Sequence, residues 1–596
     1  MESGLEGLMA GRSGLEGLMA GPAWRVVRRV LAGSFVAGVA GAQLGVGSYT
    51  LQPEGLRVVR FLAWAHVALR AARGSWARAA VGTLALVRFS PRRGLPAIGL
   101  FAALVRVVLF GRAGLALPPL IPCDLFFRTF VLKYGPQKRH LAGAEVERRM
   151  DAPAVTMLRP LSHTDWRLVV PMIFVNDVAM IEQVMGDKET YPSRGHTGFT
   201  SLVGTGLLGL PTGEMWSKHR RLVMRYLTDK HLRGYAGITQ RKFAAFSAKW
   251  DAAARSGAEV NGYYDLSMLT LDVIMEICLG EELPETCNQA TPQEDNEMAA
   301  DLDWALQDII TRTALPMYDW LPSPRIDKIR ARLDAMFDRL VAHAEAKRPE
   351  ERPEVSILHG LLSATNEDGS RALSSLELNE EFKTIRGAGH ETTGNTCCFM
   401  IKLLLENPRC LAKLREEVDA KVAGAGPTFD EWKELRYCHQ VMYEALRMYP
   451  TVPQFPREAA CEAKLGPYDV PKGALVFVQQ QSLNYSPKVW DAPHEFRPER
   501  FENVRDLRPT EPVGVPGNDN LAYGFLPFGA GLRTCAGQRL AMLEGVQIIA
   551  SICKAFDMQL MVAPDQLDVV SDVTLGPKHG LPLRITRRSV GQAHLP

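Results

Sequence analysis

Ten residues near the C-terminus, Phe528-Gly529-Ala530-Gly531-Leu532-Arg533-Thr534-Cys535-Ala536-Gly537, constrain this 596-residue chain more than any other segment. Glycines, an arginine and a cysteine crowd into a stretch that a core has no use for. Gly529 and Gly531 can take positive φ and let the backbone pass close to a flat body. A cysteine thiolate as axial ligand of a haem iron needs a tight loop, backbone N–H donors and a shield from water. Phe528 can pack beside the sulfur, and Arg533, two residues before it, can reach a haem propionate. A lone cysteine is by default a small buried hydrophobe, but these neighbours argue for a ligand.

The same residues match F-x-x-G-x-R-x-C-x-G position for position, including Gly537, and so resemble the haem-binding loop of the cytochrome P450 family. The fold of that family needs further motifs in a fixed order, and they are present. Glu444 and Arg447 lie three apart in a helical segment, on one face. Downstream, Pro498-Glu499-Arg500-Phe501 resembles the family's P-E-R-F segment. The resemblance implies a buried triad of Glu444, Arg447 and Arg500, structural in role, since one carboxylate between two arginines is satisfied only as a unit.

Upstream, Ala388-Gly389-His390-Glu391-Thr392-Thr393 resembles the segment of the long helix that crosses the distal face of the haem. Dioxygen activation needs protons delivered beside the iron, hence a hydroxyl, Thr392, and a carboxylate relaying solvent protons, Glu391. Gly389 is expected to clear space for oxygen, and the threonine pair to open the helix by bonding its hydroxyls to backbone carbonyls. Trp216 and Arg220, at i and i+4, resemble the W-x-x-x-R helix whose two donors reach propionates. Arg457, in Pro453-Gln454-Phe455-Pro456-Arg457, is expected to supply another propionate arginine. Asn484 stands where many relatives carry a propionate-touching histidine, and is expected to donate a neutral hydrogen bond there. The long loop from Glu502 to Leu521 reads as an insertion.

With 46% hydrophobic and 23% charged residues the chain has the balance of a globular unit with ample core. Ten cysteines without C-x-x-C or regular spacing support neither a zinc site nor a disulfide framework. Helical periodicity covers 299–347, 376–406 and 538–556; 475–480 and 581–586 read as short strands. The helix leaving the cysteine loop should point N–H groups at the thiolate and support its charge. The implied fold is mainly α with small β-sheets, the triangular helical prism of the family that encloses haem.

Residues 1–122 differ from the rest and read as a targeting or membrane-anchor region, with the catalytic domain at 123–596. Ser3–Gly11 recurs unchanged as Ser13–Gly21. Arg25, Arg28 and Arg29 precede a charge-free stretch, 30–53, and a second apolar stretch spans 95–110, broken by Arg106. Such a stretch can span a bilayer, while an arginine-rich, acid-poor leader equally suits a plastid or mitochondrion. The expectation is membrane association, at the endoplasmic reticulum ahead of a plastid or mitochondrion.

The resemblance implies a haem-thiolate monooxygenase with haem b, iron protoporphyrin IX, that inserts one oxygen atom of O2 into an apolar small-molecule substrate by hydroxylation or epoxidation. Electrons would come from a flavoprotein reductase or a ferredoxin, docking near Lys218, His219, Arg221 and Arg225; no nucleic-acid partner is expected. A haem-thiolate isomerase or dehydratase acting on a peroxide, and a non-enzymatic haem-binding sensor, are the alternatives. The Glu391-Thr392 pair speaks against the former.

Overall fold

In the computed structural model the described residues run from Ala154 to Arg588, apart from 161–168, 195–199, most of 285–322, 354, 505–510, 564–565, 572 and 578. Strands β1 (Ala154–Pro160) and β2 (Val169–Val175) precede helices α1 (Val178–Gly186), α2 (Glu214–Met224) and α3 (Asp229–Ser256). After β3 (Glu259–Asn261) come α4 (Gly262–Leu279), α5 (Pro324–Ala346), α6 (Ser375–Glu406), α7 (Pro408–Lys421) and α8 (Arg436–Met448). Then follow β4 (Phe455–Glu458), β5 (Ala463–Leu465), β6 (Tyr468–Val470), β7 (Leu475–Val478), α9 (Gln538–Ala555), β8 (Phe556–Leu560), β9 (Val569–Ser571), β10 (Leu575–Pro577) and β11 (Pro582–Arg587). The result is mostly helical with small sheets.

Helix α6 is the longest of the described helices. It opens with a capping box: the Ser374 hydroxyl accepts the Glu377 N–H at 3.2 Å, and the Glu377 carboxylate accepts the Ser374 N–H at 2.7 Å. It ends at Glu406 because Pro408 pushes Asn407 out of the helical region (φ −127°, ψ 75°), so α7 starts on a new course. Helix α4 is buried over nearly its whole length against α6, and the Thr270 hydroxyl donates to the His390 carbonyl at 2.9 Å.

The largest sheet runs β1-β2-β7-β4, with β2 parallel to β7 and β4 antiparallel to it, which sets Arg457 opposite Val476. Strand β11 pairs with both β3 and β8, joining the chain's end to the α3–α4 corner. Besides a small group of Met172, Leu475 and Phe477, two apolar clusters result among the described residues, one among the helices and one over the β2–β7 sheet and α1. The cysteine loop passes between them: Leu526 and Ala530 belong to the second, Phe525 and Leu540 to the first.

The expected strand at 475–480 ends at Val478, because Gln480–Asn484 turns into a short helix, and the expected helix at 538–556 stops at Ala555 as Phe556 enters β8. The helical expectation over 299–347 is met at Pro324–Ala346; most of its first part lies outside the described residues. So do the duplicated nonapeptide, both apolar stretches of the N-terminal region and the domain boundary at 122/123.

Candidate haem site

The loop carrying Cys535 is closed by its own backbone. The Cys535 N–H donates to the Phe528 carbonyl at 2.8 Å, Gly529 N–H to Leu526 at 2.9 Å and Thr534 N–H to Gly531 at 3.2 Å. Gly529 and Gly531 take φ of 71° and 67°. A Cβ at Gly531 would also stand 2.8 Å from the Met185 carbonyl of α1, so glycine is required there on two counts. Phe528 is half-buried against the helical core. Gly537 caps α9, its carbonyl accepting the Ala541 N–H at 2.8 Å. Burial pushes the Cys535 thiol up, against the pull of the Gly537 N–H and of Arg194 and Arg220. The helix terminus acts in the expected direction but does not by itself produce a thiolate; a bound cation would supply what burial removes.

Four arginines surround this loop. Arg220 donates from Nη1 to the Thr534 carbonyl at 2.9 Å, and Arg533 from Nη2 to the Leu210 carbonyl at 3.0 Å. Arg194 leans on the Arg533 carbonyl at 3.4 Å, and Arg457 donates to Pro456 at 3.0 Å. The indole of Trp216 is buried among them, 4.7 Å below Arg533 and 5.5 Å from Arg220. All the partners are neutral. Burial first, then Arg194, Arg457 and Arg220, pull Arg533 down to about 8; burial and Arg194 pull Arg457 down to about 9. Arg533 Nη1 is buried with no hydrogen-bond partner at all. Guanidinium groups keep their protons, so among the described residues the cluster lacks an anion. The two propionates of a haem lying over Cys535 fit that deficit in charge and in donor chemistry.

Behind the loop, Glu444 and Arg447 are wholly buried and bidentate, at 2.7 and 2.8 Å. Arg500 Nε reaches Glu444 at 3.3 Å, and the Arg497 N–H reaches it at 2.9 Å. Arg447 spends its other donors on the carbonyls of Asn484, Pro493 and Glu495.

On α6, Gly387 and Ala388 are exposed in the middle of an otherwise buried helix, with Thr392 half-exposed one turn on. This is the open face. The hydroxyls of Thr392 and Thr393 donate to Ala388 and Gly389 carbonyls at 2.9 and 3.2 Å. They back-bond as expected, yet the helix stays continuous through them. Gly389 corrects an expectation: a Cβ there would strike Ile274 of α4 at 2.8 Å, so the glycine serves helix packing on the far side and clears no space for oxygen. Glu391 accepts the hydroxyl of Thr574, which takes the Asn395 amide at 3.2 Å.

The sequence profile of the family described as Cytochrome P450 matches residues 166–581. The chain belongs to the cytochrome P450 family. It is 28% identical over 438 residues to the Arabidopsis thaliana protein named LUTEIN DEFICIENT 5, chloroplastic, covering 70% of each chain. It is 28% identical to a phenylacetaldehyde oxime monooxygenase of Prunus mume, over 68% of this chain and 77% of that one. The Arabidopsis carotene epsilon-monooxygenase, chloroplastic, is 27% identical, over 70% and 78%. The protein is thus a haem-thiolate monooxygenase that binds iron protoporphyrin IX, acts on an organic substrate and draws electrons from a redox partner. The isomerase and sensor alternatives are not favoured.

Within this cytochrome P450, two expected residues serve elsewhere. Asn484 is fully buried and donates its amide to the Arg447 carbonyl at 2.9 Å, so it locks the triad and faces no propionate. His219 is also fully buried, its Nδ1 2.6 Å from Glu381 and its Nε2 3.4 Å from Glu377 of α6. It cannot join a docking surface, because position 219 turns inward while Arg221 and Arg225 turn out. Arg194 and Thr574 escaped sequence reading: neither sits in a recognisable pattern, and both reach the site from loops distant in the chain.

Proposed function

We propose that Cys535 is the axial ligand and that Trp216, Arg220, Arg457 and Arg533, joined by Arg194, hold the propionates, with Phe528 and Gly537 shaping the loop. The observation that carries this reading is the cationic cluster without an anion beside a loop closed on a cysteine. When bound, the haem supplies oxygen activation and one-electron chemistry. The chain's own work is to bind, orient and exclude water. The Thr392 hydroxyl gives its proton to the Ala388 carbonyl at 2.9 Å, so on the open face of α6 its oxygen is free to accept, and Glu391, held by Thr574, would pass protons from solvent toward it. Replacing Cys535 by alanine should abolish the thiolate-type absorption of the carbonyl-bound ferrous protein. Persistence of that band would overturn the assignment.

The substrate we propose is an extended isoprenoid lipophile hydroxylated at one end. The open face offers Gly387, Ala388 and a single hydroxyl, a mostly apolar wall, and two of the relatives are named for lutein and carotene. Titrating the ferric protein with carotenes, sterols and aromatic oximes tests this: spectral shifts with the oximes alone would reject it. The donor docks at a hollow of about 450 Å³ beside α2, lined by Trp216, Arg220, Arg221, Met224, Arg225 and Leu532. Exposed Leu532 within that basic rim suits an acidic donor of the ferredoxin or flavoprotein type. Reduction by such a donor should slow steeply with salt.

Among the described residues no helix is long and apolar enough to cross a membrane. We assign targeting or anchoring to residues 1–122 and catalysis to 123–596. The chloroplastic relatives and the arginine-rich, acid-poor leader favour a plastid over the endoplasmic reticulum. A fluorescent fusion of residues 1–122 should report the plastid; reticular fluorescence would reverse the choice.

A further inference from the structure

The turn that joins β9 to β10 meets α6 through two successive residues. The Thr574 hydroxyl donates to Glu391 Oε1 and accepts the Asn395 amide Nδ2 at 3.2 Å. One residue on, the Leu575 N–H donates to the Thr451 carbonyl at 2.8 Å. The Thr451 and Thr396 hydroxyls lie 2.9 Å apart, and the Thr396 hydroxyl donates to the Thr392 carbonyl at 2.8 Å. A hydroxyl has one proton, so Thr396 has none left for Thr451, and Thr451 is the donor of that pair. Two chains of bonds thus leave Thr574 and Leu575 and end on Glu391 and Thr392.

Both chains are shut away from water. Asn395, Thr396, Thr451 and Thr574 are 1%, 3%, 5% and 7% exposed. In such surroundings hydrogen bonds gain strength and polarise one another. The carboxylate sets their order: the proton of Thr574 goes to Glu391, so Asn395 presents Nδ2 to Thr574, and its Oδ1 is left buried without a partner. A buried acceptor without a donor weakens the fold, and for packing alone apolar residues of the same shape would serve without that cost. Gly576 of β10 admits the amide, since a Cβ there would stand 3.3 Å from Asn395 Nδ2. Glu391 itself is half-buried at the edge of the open face. What the arrangement gains is a carboxylate of fixed orientation.

We infer that Thr574 is a positioning residue for proton delivery: backed by Asn395, it fixes the Glu391 carboxylate, while the chain through Thr451 and Thr396 fixes the backbone of Thr392 against the same turn. Successive side chains on a helix point about 100° apart around its axis, so α6 alone does not set the Glu391 oxygens relative to the Thr392 hydroxyl. The turn before β10 supplies the common frame. The inference rests on reading Glu391 and Thr392 as the pair that carries protons. The bond from Thr574 to Glu391 is measurable without that reading.

The test compares Thr574→Val, which keeps the shape and lacks the hydroxyl, with Thr574→Ser, which keeps the hydroxyl, in the full-length haem-loaded protein. The probe is the member of the carotene, sterol and oxime panel that shifts the ferric spectrum most. Partners that orient a reacting group carry effects of ten- to a hundredfold, so Thr574→Val should lower product formation about tenfold. The reducing equivalents should leave as hydrogen peroxide instead, and the spectral dissociation constant of the probe should not change. Thr574→Ser should restore product, and the solvent deuterium isotope effect, raised in the valine variant, should return with it. Thr574→Ala removes the hydroxyl without placing a methyl against the carboxylate and should uncouple as the valine does, so a valine variant that fails to hold haem does not end the test. Uncoupling that serine leaves unrepaired would reduce Thr574 to packing and overturn the inference. Unchanged coupling without the Thr574 hydroxyl, beside a strongly uncoupled Glu391→Ala, would overturn the positioning role alone. Unchanged coupling in Glu391→Ala would overturn the relay itself and this inference with it. Thermal midpoints read the bond directly: the losses in Thr574→Val, Glu391→Ala and the double variant should depart from additivity by about 1–3 °C, and strict additivity would show that Thr574 does not hold Glu391.

Discussion

Two groups of buried arginines lie within one core, and they are built on opposite terms. Around Glu444 every charge is answered: Arg447 takes both carboxylate oxygens and three carbonyls, and Arg500 takes what remains of the same carboxylate together with the Asp491 and Ala492 carbonyls. Around Cys535, Arg194, Arg220, Arg457 and Arg533 meet, among the described residues, carbonyls, a thioether, the rings of Trp216 and Phe455 and each other, all without negative charge. A set that closes on itself belongs to the fold. A set of four cations with an orphan donor is finished by something that no described residue supplies, and that difference separates scaffold from binding site without appeal to any motif.

The largest effect should come from opening the closed set. Glu444→Ala would leave Arg447 and Arg500 facing each other without a counter-charge, at about 3–5 kcal/mol, a large share of the stability of any domain. Little folded protein should be recovered. Recovery at wild-type yield, with wild-type haem content, would show that the triad does not bear on folding.

The open set should respond in the reverse way. Arg533→Met removes one of four mutually repelling cations, so the haem-free chain should fold as well as the parent. Haem should be lost about 10–100-fold faster, read from transfer to a haem-scavenging globin. If Arg533→Met failed to fold as Glu444→Ala does, the two groups would be alike and the distinction would be lost. If haem loss were unchanged, the orphan donor would have another purpose.

The difference also explains what was legible in the sequence. Cys535, Gly529 and Gly531 could be read because a backbone-closed loop needs its residue types at fixed spacing, and the Glu444–Arg447 pair because helix geometry puts i and i+3 together. Helix α6 could be placed from its length and pattern. Arg194 could not, since its contribution depends on the loop from Pro192 being carried beside residues more than 330 positions away. Thr574 is likewise set by where β10 returns. Gly389 misled because the motif names a glycine without saying which side of the helix it faces, and the packing of Ile274 decides that. His219 was read as a surface charge for the same reason: its neighbours Arg220 and Arg221 turn to other faces of α2.

His219 supplies the smallest and sharpest comparison, because it closes on carboxylates as Arg447 does and yet can lose its charge. Two carboxyl groups of α6 face it, Glu381 and Glu377, with Glu380 beside them. Although burial opposes its charge, the bonds to Glu381 and Glu377 raise its pKa above the ordinary 6.5; burial raises Glu381 as well, while the Ser374 N–H and hydroxyl, with His219, lower Glu377 against the pull of burial. A raised histidine stabilises the fold fully below its ordinary value, and the contribution fades as pH climbs through the raised one. Raised Glu381 fades in the same direction, since the buried carboxyl resists losing its proton. Lowered Glu377 acts only in acid, below its ordinary range. Stability should therefore decline as pH rises above the ordinary histidine value of 6.5, by an amount worth roughly 1–3 °C in thermal midpoint, measured for wild type against His219→Gln, which keeps a hydrogen bond to Glu381 but cannot titrate. The glutamine variant should show the flatter curve. Equal slopes in the two proteins would mean that no proton is exchanged at this joint, and that α2 and α6 are held together by packing alone.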